Sequence, residues 1–127
     1  MRVALDTNAY RAAAEGEAKT VEVLQRAEEV CLPFVALGEL RAGFAAGTQG
    51  RKNESRLTEF LNSPRVSILY ADEQTTHHYA SLFAELRRQG TPIPTNDLWI
   101  AALVVQHDLL LLTGDETFGP RLCPHRP

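Results

Sequence analysis

Arg2-Val3-Ala4-Leu5-Asp6-Thr7-Asn8 decides how the rest of this chain is read. Val3 and Leu5 flank Ala4, so the run has no polar face. A strand of that kind belongs in a parallel sheet covered by helices on both sides. It stops abruptly at a carboxylate. Asp6 therefore stands at the strand's carboxyl end, the edge where open α/β sheets bind ligands. An Asp at this place also serves as an N-cap of the following helix. Taken alone, the stretch leaves both readings open.

The same arrangement returns near the other end of the chain. Leu109, Leu110, Leu111 and Leu112 form a second apolar run, and Thr113-Gly114-Asp115 closes it. Between the two runs, strands and helices alternate. Residues 9–14 are alanine-rich and helix-favouring, with Gly16 to end them. Residues 20–30 read as an amphipathic helix with Val23, Ala27 and Val30 on one face. Residues 30–35 follow as a short strand with Pro33 near its end. Residues 36–46 form a helix with the stripe Leu37, Leu40 and Phe44. After a loop at 47–50 comes the basic patch Arg51, Lys52 and Arg56, then a short helix burying Leu57, Phe60 and Leu61.

Residues 66–70 give another strand. Asp72 is the expected N-cap of a long helix whose buried face is Tyr79, Leu82, Phe83 and Leu86, closed by Arg87, Arg88 and Gly90. Thr95 is the expected cap of the next helix, 96–107. That helix is apolar nearly all round and belongs deep in the core. Residues around 121–123 are read as a short edge strand. Alternating strands and helices predict an α/β fold in three layers: one domain over 1–127, with a central, mainly parallel sheet of four to five strands.

The composition suits this. The chain has 127 residues, 44% of them hydrophobic and 23% charged, which places it among globular proteins and not disordered ones. No apolar run reaches the roughly 20 residues that span a bilayer, and no signal peptide opens the chain, so a cytoplasmic protein is expected. Net charge is −3, which argues against a protein that coats nucleic acid indiscriminately. Cys31 and Cys123 fit neither a disulfide framework nor a zinc motif and are read as free thiols. His77, His78, His107 and His125 show no metal-ligand spacing.

Four acids stand out by location. Asp6 follows the first strand and Asp115 the last apolar one. Asp97 lies in the first turn of the most buried helix, and Glu39 sits beside an apolar stripe. Each has an ordinary explanation as a cap, a turn former or a solvated residue. Together they suggest convergence, because parallel strands present their carboxyl ends on one side. Clustered carboxylates need a compensating positive charge, and Mg²⁺ or Mn²⁺ prefers oxygen ligands. Thr7, Asn8 and Thr113 would then hold water or orient the ligands.

Those acids carry a resemblance. Asp6-Thr7-Asn8 after an opening strand resembles the start of a PIN domain. Glu39 within Gly38-Glu39-Leu40-Arg41-Ala42-Gly43 is similar to its second acidic motif. Pro94-Thr95-Asn96-Asp97-Leu98-Trp99-Ile100-Ala101-Ala102 resembles the third, and Leu112-Thr113-Gly114-Asp115-Glu116-Thr117-Phe118 the fourth. The likeness runs from residue 2 to about residue 118, and at this size it is closest to the VapC-type toxins. It implies a PIN-like three-layer domain with endoribonuclease activity dependent on Mg²⁺ or Mn²⁺, in which metal-activated water cleaves RNA. It also implies a small antitoxin partner and a homodimer. Asp6, Asp97, Asp115 and Glu39 would form the metal site, supported by Thr7, Asn8, Asn96 and Thr113. Arg11, Arg41, Arg51, Lys52 and Arg56 are candidate contacts to RNA phosphates. The chain departs from the family at 119–127, which is short and broken by prolines.

Three other readings compete. A haloacid-dehalogenase-like phosphatase would place a second Asp where Asn8 stands. A receiver domain needs a Lys after its last strand, whereas the lysines here are Lys19 and Lys52. A PIN fold that binds RNA or a partner without cutting would look the same but would not need all four acids.

Overall fold

The computed structural model describes residues 1–113 and the backbone of 116–118. In chain order these form β1 (Arg2–Leu5), α1 (Thr7–Ala14), α2 (Ala18–Arg26), β2 (Glu29–Pro33), α3 (Phe34–Ala46) and α4 (Gly50–Leu61). There follow β3 (Val66–Leu69), α5 (Glu73–Gln89), α6 (Thr95–Gln106), β4 (Leu110–Thr113) and β5 (Glu116–Phe118). The sheet order is β3-β2-β1-β4-β5. The first four strands are parallel, and β5 runs antiparallel to β4. The expected α/β fold with a mainly parallel sheet is what the chain adopts.

β1 is central because every side chain after Arg2 is core. Val3, Ala4 and Leu5 are 0% exposed. Burial on both faces is what a strand without a polar side requires. From β1 the chain winds outward through β2 to β3, then crosses back to place β4 on the other side of β1. The winding direction therefore reverses between β1 and β4. Their carboxyl ends flank the crevice where such sheets bind ligands. The Asp6 N–H donates to the Leu112 carbonyl at 3.2 Å, which extends the β1–β4 ladder into the crevice.

α6 is buried as expected: Leu98, Ile100, Ala101, Ala102, Leu103 and Val104 all lie in the interior. Several boundaries differ from the sequence reading. α2 stops at Arg26, not at residue 30, because sheet pairing captures the backbone. The Glu28 N–H bonds Met1 O and the Val30 N–H bonds Arg65 O, each at 2.8 Å. α3 begins two residues early, at Phe34, because Pro33 both closes β2 and serves as the N-cap. α4 starts at Gly50, so Arg51, Lys52 and Arg56 lie on the helix and not ahead of it. Thr95 does not cap α6. Pro94 takes that place with extended backbone, and Thr95 is the first helical residue.

The largest correction concerns α5. Its N-cap is Asp72, in a capping box with Thr75, and Gly90 closes it at φ 72°. Its apolar face, however, is not core. Thr75 is its buried residue, whereas Phe83 is 46% exposed. α5 packs chiefly on α6, where Tyr79 stacks on Trp99 with ring centroids 4.0 Å apart. Periodicity reported a stripe without saying how much of it another element covers. The edge strand expected at 121–123 lies outside the described residues, as do Cys123 and His125. Cys31 is a free, buried thiol.

Candidate active site at the carboxyl edge of the sheet

Three helices deliver acids to the crevice. Asp6 sits between β1 and α1 and does cap that helix, its Oδ1 accepting the Ala9 N–H at 2.8 Å. A cap bond occupies one carboxylate oxygen and leaves the other to face outward. Glu39 lies mid-way along α3, which the tight β2–α3 junction aims at the same edge. Asp97 lies in the first turn of α6, where the helix start favours negative charge.

A cavity of about 200 Å³ brings these together, lined by Asp6, Thr7, Asn8, Arg11, Glu39 and Asp97. Glu39 is clamped from both sides. Thr7 Oγ1 donates to its Oε1 at 2.5 Å, and Asn96 Nδ2 donates to its Oε2 at 3.1 Å. One acid on α3 thus ties the start of α1 to the start of α6. Asp97 retains solvent access, yet its carboxyl is pushed above the usual range. Partial desolvation is the main cause, followed by the negative charges of Glu39 and Asp6. The electrostatics therefore place all three acids within reach of one another.

The donor set fits a divalent cation. It is oxygen throughout, with no thiolate or imidazole on the cavity wall, and that suits a hard ion such as Mg²⁺ or Mn²⁺. Asp97, raised by desolvation and then by like charges, is a group that a cation would relieve. The carboxylates share a wall without meeting at one point: among the described residues no three His, Cys, Asp or Glu are gathered closely enough to grip an ion. Their bonds explain the spread. Asp6 is held by its cap and Glu39 by Thr7 and Asn96. The chemistry fits, and side-chain rotation would have to complete the grip.

The remaining candidates divide. Thr7, Asn8 and Asn96 stand at the site. Thr113 ends β4 and is not among the described residues lining the cavity. Asp115 lies outside the described residues. Arg11 is on the cavity wall. Arg41 is taken up by a two-pronged ion pair with Glu54, its Nη2 at 2.8 Å. Asp72 caps α5, as expected, and accepts from Gln106 at 3.0 Å. The resemblance puts Thr7 and Asn96 in support of the metal site, and the structure adds that both bind Glu39.

An open parallel sheet with acids converging at its switch point defines a class: α/β proteins with an oxygen-lined, cation-suited crevice. The chain belongs to the PIN domain family, whose model matches residues 3–119. It is 35% identical over 96 residues to ribonuclease VapC1 of Haemophilus influenzae, covering 76% of this chain and 70% of that relative. Two solved structures share the fold. One is VapBC2 of Rickettsia felis bound to a promoter DNA fragment, with 27% identity, TM-score 0.76, and 87% of this chain and 86% of that one covered. The other is DNA-bound VapBC of Salmonella typhimurium, with 25% identity, TM-score 0.78, and 89% and 86% covered.

Proposed function

We propose that this chain is a metal-dependent endoribonuclease and the toxin of a toxin–antitoxin pair. One observation carries the reading. Asp6, Glu39 and Asp97 line one cavity, in a chain related to proteins named ribonuclease VapC. Mg²⁺ or Mn²⁺, when bound, would lower the pKa of water and offset charge developing on the phosphate. Asp6 and Asp97 would hold the ion, with Asp115 as a third ligand. Glu39, fixed by Thr7 and Asn96, would ligate directly or hold a water in line with phosphorus. Asn8, exposed at the rim, would orient that water or the phosphate. No Ser or Cys nucleophile is needed.

Residues 1–127 act as one domain in this reading, located in the cytoplasm. Among the described residues no helix is long and apolar enough to cross a membrane. A small antitoxin is the protein partner, as the VapBC complexes of relatives suggest. A homodimer would find apolar surface at Phe83 and Ile93, which are 46% and 40% exposed. The test is incubation of the purified protein with structured RNAs, with and without Mg²⁺ or Mn²⁺. Cleavage should require the ion and disappear in Asp6→Asn and Asp97→Asn. Cutting that survives chelator or both substitutions rejects the site.

A further inference from the structure

Beside the acidic cavity lies a second, larger one of about 390 Å³, between α1, α3 and α4. Its wall includes Arg11, Arg56 and Asn53, with Tyr10 and Gly43. Arg11 lines both cavities, so the two adjoin at its side chain. Among the described residues neither Arg11 nor Arg56 is in an ion pair, in contrast to Arg41. Glu15 is on the same wall, which leaves two cations against one anion among the described lining residues. Tyr10 is buried and braced edge-on against Phe60, with ring centroids 5.3 Å apart, so it gives the groove a firm side.

Gly43 supplies the clearance. It lies inside α3, where glycine is a poorer helix former than alanine. A Cβ there would stand 3.3 Å from Arg11 Nη2, so the guanidinium would have to give by a few tenths of an ångström. The helix thus carries a weak residue at the point where Arg11 passes over it. We infer that Arg11 and Arg56 form a phosphodiester track that holds the single-stranded RNA backbone as it leaves the acidic cavity between α1, α3 and α4. Arg11 would take the phosphate next to the one cleaved, and Arg56 one further along. Guanidinium groups suit this because their fork matches phosphate oxygens. The inference rests on the ribonuclease reading for its ligand but not for its test.

The test is binding of a short single-stranded RNA in chelator, followed by fluorescence anisotropy across a salt series. For single strands the slope of log K against log salt falls by about 0.7 per phosphate contact. Arg11→Ala and Arg56→Ala should each flatten the slope by about that amount, and the double variant by about twice as much. Arg11→Lys should restore the slope, and Arg88→Ala, on α5, should leave it unchanged. Gly43→Ala should weaken binding measurably but less than Arg11→Ala while melting at the same temperature or higher, which a merely structural glycine would not do. Unchanged slopes in both arginine variants, or no salt-dependent binding at all, overturn the track. So does a result in which the variants lose only polyglutamate binding, which would assign the groove to an acidic protein partner. Chelator keeps the two claims apart. A protein that binds RNA through these arginines but never cuts it loses the nuclease reading alone. One that cuts RNA with unchanged slopes loses the track alone.

Discussion

The Thr7 hydroxyl is a small group with a large geometric duty, since it holds one oxygen of Glu39 while Asn96 holds the other. Removing it frees the carboxylate to turn. Supporting partners of this kind typically matter about 10–100-fold in metal affinity or activity. Thr7→Ala should therefore lose about that much RNA cleavage, and Thr7→Ser should keep most of it, as steady-state rates would show. Asp97 gives a prediction in stability. Its folded carboxyl is raised by desolvation and by its acidic neighbours. A folded state that keeps the proton longer than the unfolded one loses stability as pH climbs from the ordinary carboxylate pKa to the raised one. Above that window the loss is complete, and below it there is none. Asp97→Asn in chelator should thus melt higher than the native chain at neutral pH, with the gain vanishing in acid. A melting series from pH 3 to 8 would check the sign. Asp6, Glu39 and Asp97, which line one cavity, could be picked out from sequence because each adjoins an apolar run. Which side chains clamp Glu39 could not, since that depends on how three helices dock.

Helices set the site's frame, and their anchors are single residues. Leu57 is the buried residue of α4 and is 0% exposed. Cutting it back to alanine should cost about 2–5 kcal/mol, the usual range for a buried leucine. Because α4 carries Arg51, Lys52 and Arg56, Leu57→Ala should also weaken RNA binding more than it changes the geometry of the acids. Urea titration and anisotropy together would separate the two effects. At α5, Asp72 is held below the usual carboxylate range, first by its bond from Gln106 and then by the Thr75 N–H. A depressed pKa contributes stability above the unfolded value that is lost as pH falls through the folded one. Asp72→Asn should therefore flatten the acid limb of the melting profile. Strand identity and helix type were legible from periodicity and capping residues. The ends of α2 and α3 were not, because inter-strand bonds and a proline cap overrode local pattern.

On the scale of the molecule, a cation that binds only the folded chain adds stability by mass action. At about 100 times its Kd the gain is about 2.7 kcal/mol. Mg²⁺ or Mn²⁺ should raise the melting temperature of the native chain, and chelator should reverse it, with Asp6→Asn and Asp97→Asn showing little response by calorimetry. That the sheet is mainly parallel followed from alternating elements, whereas the order β3-β2-β1-β4, and with it the switch point, came from the structure. What the sequence could not convey was how unevenly the layers close. β1 is sealed on both faces, whereas α5 rests on α6 with Thr75 as its buried residue. Local opening is easiest where few apolar contacts must be broken. In deuterated water, amides along the second half of α5 should therefore exchange long before those of β1 and β4. The protein would behave as a rigid plate with a hinged splint, able to shed the splint while the plate stays shut.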